Sequence, residues 1–147
     1  MNEIERKFLV INDSFKTEAT KQYVIKQGYL NRNPERTVRV RTKNNKAFLT
    51  IKGKSNSSGT TRFEWENQID INEALELLKL TEGNIIEKTR YIIPYKNHTF
   101  EVDIFEGNQK GLILAEIELK DENETFEKPS WLGKEVTGDV RYYNSTM

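Results

Sequence analysis

Cysteine is absent from this 147-residue chain, and histidine occurs once. The first absence excludes thiol nucleophiles, disulfides and Cys-ligated zinc, and makes a reducing compartment the simplest setting. The second leaves zinc without an imidazole pair, since His98 stands alone between Asn97 and Thr99 in a turn-prone stretch. Net charge is missing too: 23 basic and 23 acidic residues cancel, so nothing suggests bulk attraction to nucleic acid or an anionic membrane. No apolar run is long enough for a signal peptide or a membrane span. Triplets such as Asn12-Asp13-Ser14 and Asn56-Ser57-Ser58 therefore read as polar loops, and the expected location is the cytoplasm. Nothing repeats at a solenoid period and no linker-like stretch divides the chain. Residues 1–147 are read as one domain, large enough to bury a core without staples.

What is present is charge, 31% of the residues, set in a regular alternation. In Glu3-Ile4-Glu5-Arg6-Lys7, two carboxylates and an ammonium spaced two apart share one face of a strand, beside apolar Ile4 and Phe8. The pattern recurs as Arg39/Arg41, Glu64/Glu66, Lys88/Arg90, Glu101/Asp103 and Glu116/Glu118. Period-two segments run near Glu3 to Val10, Gln22 to Leu30, Thr37 to Thr42, Ala47 to Lys52, Thr61 to Ile69, Glu87 to Pro94, Thr99 to Glu106 and Gly111 to Lys120. Short turn-prone links at Asn44-Asn45, Ser55 to Gly59, Lys96-Asn97 and Gly107-Asn108 favour antiparallel hairpins. Helices are few. Asn72 to Leu80 is the clearest, with Asn72 as N-cap and Leu75, Leu78 and Leu80 on its apolar side. Asp13 to Thr20 is a weaker helical candidate, and Pro129 to Leu132 is read as a turn that docks Trp131.

A solvated strand face explains one such alternation, but solvated faces usually mix polar types, whereas these carry like charges two residues apart. At about 6 Å and an effective dielectric of about 20, two cations cost each other roughly 3 kcal/mol. Arg39, Arg41, Lys52, Lys88 and Arg90 therefore need anions nearby, from acidic strands or from bound phosphate. About eight tilted antiparallel strands can close into a barrel whose inward residues are the charged set, giving a wet pore. Outward Ile4, Phe8, Val38, Val40, Ile51, Phe63, Trp65, Val102 and Ile117 then need cover, which the Leu75/Leu78 helix and Trp131 can give in part. Glu3, Glu5, Glu116 and Glu118, from opposite ends of the chain, make an oxygen-only cluster suited to Mg²⁺ or Mn²⁺ if their strands adjoin. Guanidiniums and ammoniums bind polyphosphate oxygens through charge-assisted bonds. Such a division fits metal-assisted phosphoryl transfer, and a ligand-free set of cross-strand salt bridges fits the same residues. Gly53-Lys54-Ser55 lacks the first glycine of a P-loop, which falls at Phe48, and no helical pattern follows it.

The ordered set Glu3-x-Glu5-x-Lys7, Thr37-Val38-Arg39-Val40-Arg41, Phe48-Leu49-Thr50-Ile51-Lys52-Gly53, Glu64-x-Glu66, Lys88-x-Arg90, Glu101-Val102-Asp103, Glu116-Ile117-Glu118 and Gly138-Asp139-Val140-Arg141-Tyr142 resembles the CYTH superfamily, the triphosphate tunnel metalloenzymes. The likeness spans nearly the whole chain and is nearest the short bacterial single-domain members. It implies a mainly β, α+β fold: an eight-stranded antiparallel closed barrel with a few peripheral helices, holding a triphosphate and a divalent cation, Mg²⁺ or Mn²⁺. By resemblance, Glu3, Glu5, Glu116 and Glu118 hold the metal, and Lys7, Arg39, Arg41, Lys52, Lys88 and Arg90 grip phosphate. Arg62, Glu64, Glu66, Glu101, Asp103 and Arg141 line the tunnel in support. Tyr29 and Lys88 match a tyrosine–lysine pair linked to a preference for tripolyphosphate, and Lys7, Tyr29, Lys88 and Glu116 form the catalytic set. The activity implied is hydrolysis of inorganic tripolyphosphate to pyrophosphate and phosphate. Adenylate cyclisation, thiamine or nucleoside triphosphate hydrolysis, and polyphosphate or nucleotide binding without turnover are the alternatives. The expected partner is a small triphosphate, with no nucleic acid or membrane, acting on a monomer or homodimer.

Overall fold

Period two becomes strand because only an extended chain sends alternate side chains to opposite faces. The computed structural model describes residues 1–147, with nine strands and one short α-helix. The strands are β1 (Asn2–Val10), β2 (Lys21–Asn31), β3 (Arg36–Lys43), β4 (Lys46–Gly53), β5 (Thr61–Ile69), β6 (Glu82–Tyr95), β7 (His98–Phe105), β8 (Ile113–Glu118) and β9 (Leu132–Glu135). Eight of them run in the order β5-β4-β3-β2-β6-β7-β8-β1, every pairing antiparallel. The barrel closes where Asn2, Glu3 and Ile4 of β1 meet Phe63, Arg62 and Thr61 of β5. Chain termini thus become neighbours of the middle, and Glu5 lies directly across from Glu118.

Four details differ from the sequence reading. The segment around Trp131 continues into a ninth strand, β9, which pairs with the last residues of β1 through Phe8↔Glu135 and Val10↔Leu132. The helix α1 is Ile71–Leu77, followed by a 3-10 turn at Leu78–Leu80. Its N-cap is Asp70 rather than Asn72, because the Asp70 carboxylate accepts from the backbone N–H groups of both Asn72 and Glu73, at 2.9 and 3.2 Å. Asp13 to Thr20 yields only a 3-10 turn, Ser14–Thr17, whose purpose is to bury Phe15.

The hydrophobic core lies mainly outside the barrel. Phe8, Ile93, Phe100, Val102, Ala115 and Ile117, pointing away from the lumen, pack against Phe15, Leu119 and Trp131. A smaller cluster joins Val40 and Ala47 to Ala74 and Leu78 of the helical segment. The cover is partial: Phe63 and Trp65 stay 45% and 36% exposed, and Leu75 faces outward at 48%, because the helix buries Ala74 and Leu78 instead. Trp131 stacks edge-on against Phe15 and Phe100 at 5.9 and 5.3 Å between ring centroids. Trp131→Ala is expected to cost about 3–5 kcal/mol by urea denaturation, the range for emptying a large aromatic site. A loss below about 1 kcal/mol would mean that this outer layer does not hold the barrel wall.

Candidate active site: a charged cavity inside the barrel

Inward positions on all but one of the barrel strands carry charge. Seven cations, Lys7, Arg39, Arg41, Lys52, Arg62, Lys88 and Arg90, line one cavity with seven carboxylates, Glu3, Glu5, Glu64, Glu66, Glu101, Glu116 and Glu118. Tyr29 of β2 lines it as well. If all are ionised the lining is neutral, so a polyanion entering alone would leave an enclosed site strongly negative, whereas a polyanion accompanied by a divalent cation would not. The lumen is also filled at one end. Continuing the inward faces by two residues gives Leu9, Leu114, Phe105 and Ile86, which pack with Val136, Tyr142 and Met147 into an apolar plug. The pore expected from sequence is a cavity floored by the C-terminal segment.

Two of the expected lining residues lie elsewhere. Arg141 is 74% exposed in its side chain and bonds Asp139 at 2.7 Å, pointing away from the cavity. Its neighbour Tyr142 takes the inward direction in the 3-10 turn Val140–Tyr142, so the tail's backbone, not the Arg141 guanidinium, meets the lumen. Asp103 sits behind the lining, fully buried, with its two oxygens on Arg90 at 2.8 and 2.9 Å and on Lys88 at 2.9 Å. It is a buttress for two cations. Tyr29 and Lys88 both reach the cavity, but the Lys88 ammonium bonds Asp103 and Asn144 rather than the Tyr29 hydroxyl.

The cationic wall is held by acids from its neighbours. Thr50 Oγ1 donates to Glu66 at 2.6 Å, and the same carboxylate oxygen faces Arg39 at 3.5 Å and Arg41 at 3.4 Å. Burial works against the Glu66 charge, but the Thr50 hydrogen bond and the two arginines outweigh it and lower its pKa. Lys52 bridges Glu3 at 2.9 Å and Glu64 at 3.3 Å. Burial, then repulsion from Arg39 and Arg90, pulls Arg41 down to about 10, still charged at neutral pH. Nε of Arg39 and of Arg41 is buried with no protein acceptor. The two arginines line the cavity and give this wall the forked, cationic donors that suit an anion.

On the opposite wall β1 and β8 set Glu5 across from Glu118 and Lys7 across from Glu116. Burial raises Glu5 well above the carboxylate range, and Glu116 and Glu3 add to the shift. Burial opposes ionisation of Glu116 as well, yet Lys7, the hydrogen bond from Glu5, and Arg90 bring it well below that range. Glu5 is therefore the proton-holding member of the pair. Glu118 is raised by burial and by Glu3 and Glu101. Crowded carboxylates that resist ionisation are an oxygen-donor set whose charge a divalent cation would offset. No three acidic groups close on a common point, and Glu3 is turned toward Lys52 and Arg62. The donors fit a hard divalent cation in chemistry, and Glu3 would have to leave Lys52 to join them.

Lining residues that the sequence did not disclose come from turns and the tail: Ser55, Gly59, Thr60, Thr137, Gly138, Tyr143, Asn144 and Ser145. A Cβ on Gly59 would lie 2.4 Å from the Gly138 Cα, and both glycines have positive φ, so the two turns meet backbone to backbone at the rim. Thr37 and Thr50 share the inward faces of Arg39 and Lys52, so alternation alone could have found them.

The CYTH domain family matches residues 1–143. Curated relatives called inorganic triphosphatase are 48% identical in Acetivibrio thermocellus, over 99% of this chain and 92% of the relative, and 38% identical in Nitrosomonas europaea, over 100% and 97%. A crystal structure of an inorganic triphosphatase superposes with a TM-score of 0.69 at 36% identity, covering 97% of this chain and 94% of the other. A Pyrococcus horikoshii protein at 24% identity, covering 82% of this chain and 80% of its own, shares the fold with a TM-score of 0.66.

Proposed function

Because the chain belongs to the CYTH domain family, we propose that it is a cytoplasmic, divalent-metal-dependent triphosphatase that cleaves inorganic tripolyphosphate to pyrophosphate and phosphate. The observation that carries this reading is one cavity lined by Arg39, Arg41, Lys52, Lys88 and Arg90 together with a cluster of glutamates in which burial, Glu116 and Glu3 hold Glu5 above the carboxylate range. Glu3, Glu5, Glu116 and Glu118 hold the cation. Mg²⁺ or Mn²⁺ bound there supplies a Lewis acid for phosphoryl oxygens and offsets the charge of the carboxylates.

Arg39, Arg41, Lys52, Lys88 and Arg90 grip the phosphate chain by charge-assisted bonds, with Lys7 reaching it from the glutamate wall. Their anionic supports keep them from moving, so little reorganisation accompanies the rise of charge on the departing pyrophosphate. Glu116, held ionised by Lys7 and Arg90, orients the attacking water by accepting its hydrogen. Tyr29 lies on the inward face of β2, across from Arg39 of β3, and positions the chain end there.

Phosphate release from tripolyphosphate, thiamine triphosphate and ATP, each with Mg²⁺, Mn²⁺ or a chelator, tests the proposal. Fast release from tripolyphosphate that vanishes with chelator is expected. Release that prefers an organic triphosphate, formation of cyclic AMP, binding without turnover, or equal rates with chelator would each replace it.

A further inference from the structure

We propose that Asn144 is a positioning residue for Lys88, orienting its ammonium so that one remaining hydrogen is aimed at a phosphoryl oxygen; this rests on the reading of the cavity as a triphosphate site. A lysine ammonium has three donors. Asp103 Oδ2 takes one at 2.9 Å and Asn144 Oδ1 takes another at 2.8 Å, while the third has no protein acceptor. With two acceptors placed, rotation about the terminal bond is stopped and the third direction is set.

Asn144 is itself locked. Its Oδ1 also accepts from Gln27 Nε2 at 2.9 Å, and Gln27 is wholly buried on β2. Two donors converging on that atom require it to be the oxygen, which fixes the amide orientation. Backbone on both sides is pinned, by Arg32 Nε donating to the Ser145 carbonyl at 2.6 Å and Thr146 Oγ1 donating to the Val140 carbonyl at 2.7 Å.

The choice of a neutral acceptor has a reason. Lys88 faces Asp103 from β7, Arg90 from β6 and Glu116 from β8, whereas β2 sets Ile25 directly across from it, with Gln27, Tyr23 and Tyr29 on the same face and no charged group at neutral pH. Burial draws its pKa down to about 8, against the pull of Asp103. A second carboxylate at residue 144 would hold the proton more tightly and compete with phosphate for the ammonium. An amide oxygen orients it without adding charge.

Binding of diimidotriphosphate, a tripolyphosphate analogue whose nitrogen bridges resist hydrolysis, measured calorimetrically with Mg²⁺ present, separates this role from a structural one. From about pH 6 to about pH 10, wild-type affinity is expected to fall as the lysine loses its proton, and Lys88→Arg to abolish that fall. Asn144→Asp, nearly isosteric, is expected to move the midpoint to higher pH. Asn144→Ala is expected to move it lower and to weaken binding about tenfold at neutral pH. If both variants keep the wild-type midpoint with unchanged melting temperatures, Asn144 does not position Lys88. Should Asn144→Ala unfold, the Asn144→Asp midpoint decides alone. Absence of any binding of the Mg²⁺-accompanied analogue by the wild-type protein would instead sink the reading of the cavity.

Discussion

Glu5→Gln lowers metal-dependent phosphate release by about a hundredfold or more while raising the thermal stability of the metal-free protein. The two effects have one source. Burial, Glu116 and Glu3 hold the Glu5 carboxyl above its ordinary range, so the folded chain binds this proton more readily than the unfolded one. Stability from this group is present at low pH and is lost as pH rises from the ordinary carboxylate range through the raised folded value. A neutral amide removes that loss, and with it a donor to the cation. Adding Mn²⁺ to the wild type should raise its melting temperature by mass action, and the shift should shrink sharply in the variant. Near-normal phosphate release, or an undiminished Mn²⁺ shift, would detach Glu5 from the metal.

Asp103→Ala should destabilise the fold by about 3–5 kcal/mol, the cost of leaving buried cations without their partner. Lys88 and Asp103 are each 2% exposed in their side chains, and Arg90 is 9% exposed, so water cannot replace the carboxylate. Burial raises the Asp103 pKa, but Arg90 and Lys88 more than compensate and set it near 2. Its stabilisation is therefore complete above its unfolded value near 3.8 and disappears as pH falls toward 2. Urea denaturation of the variant at neutral pH should show the loss, and the acid-induced decline in that window should be shallower than in the wild type. Asp103→Asn, which keeps shape and one acceptor, is expected to fall between. A cost under about 1 kcal/mol would show that Lys88 and Arg90 find other anions, with Glu101 at 3.4 Å and Glu116 at 3.8 Å from Arg90 the nearest.

The strands and their facing were legible because that signal is local. Alternation of charge along β1, β3, β5, β6, β7 and β8 reports strand and facing together, and short turns between successive strands imply antiparallel pairing. Inwardness of Glu64, Glu66 and Glu101 follows from the same rule. Arg141 escaped it because that segment is a 3-10 turn, where period two does not hold, and the side chain swings out to Asp139. Asp103 kept its facing but not its exposure, since the depth of a side chain depends on neighbours across the sheet. Asn144 gave no signal: nothing in a polar tail distinguishes an amide that holds a buried ammonium from one in water.

Sequence by itself determined which side chains share a face and what sign of charge each face carries, since a strand's two-residue repeat acts within a few residues. Only the tertiary structure decided that β1 meets both β8 and β5, that Leu9, Ile86, Phe105 and Leu114 stop the lumen, and that Tyr142 and Asn144 take up the ammoniums of Lys7 and Lys88. Those outcomes turn on barrel closure and on where a distant segment finds space and partners, and energies of that kind belong to contacts between residues far apart in the chain.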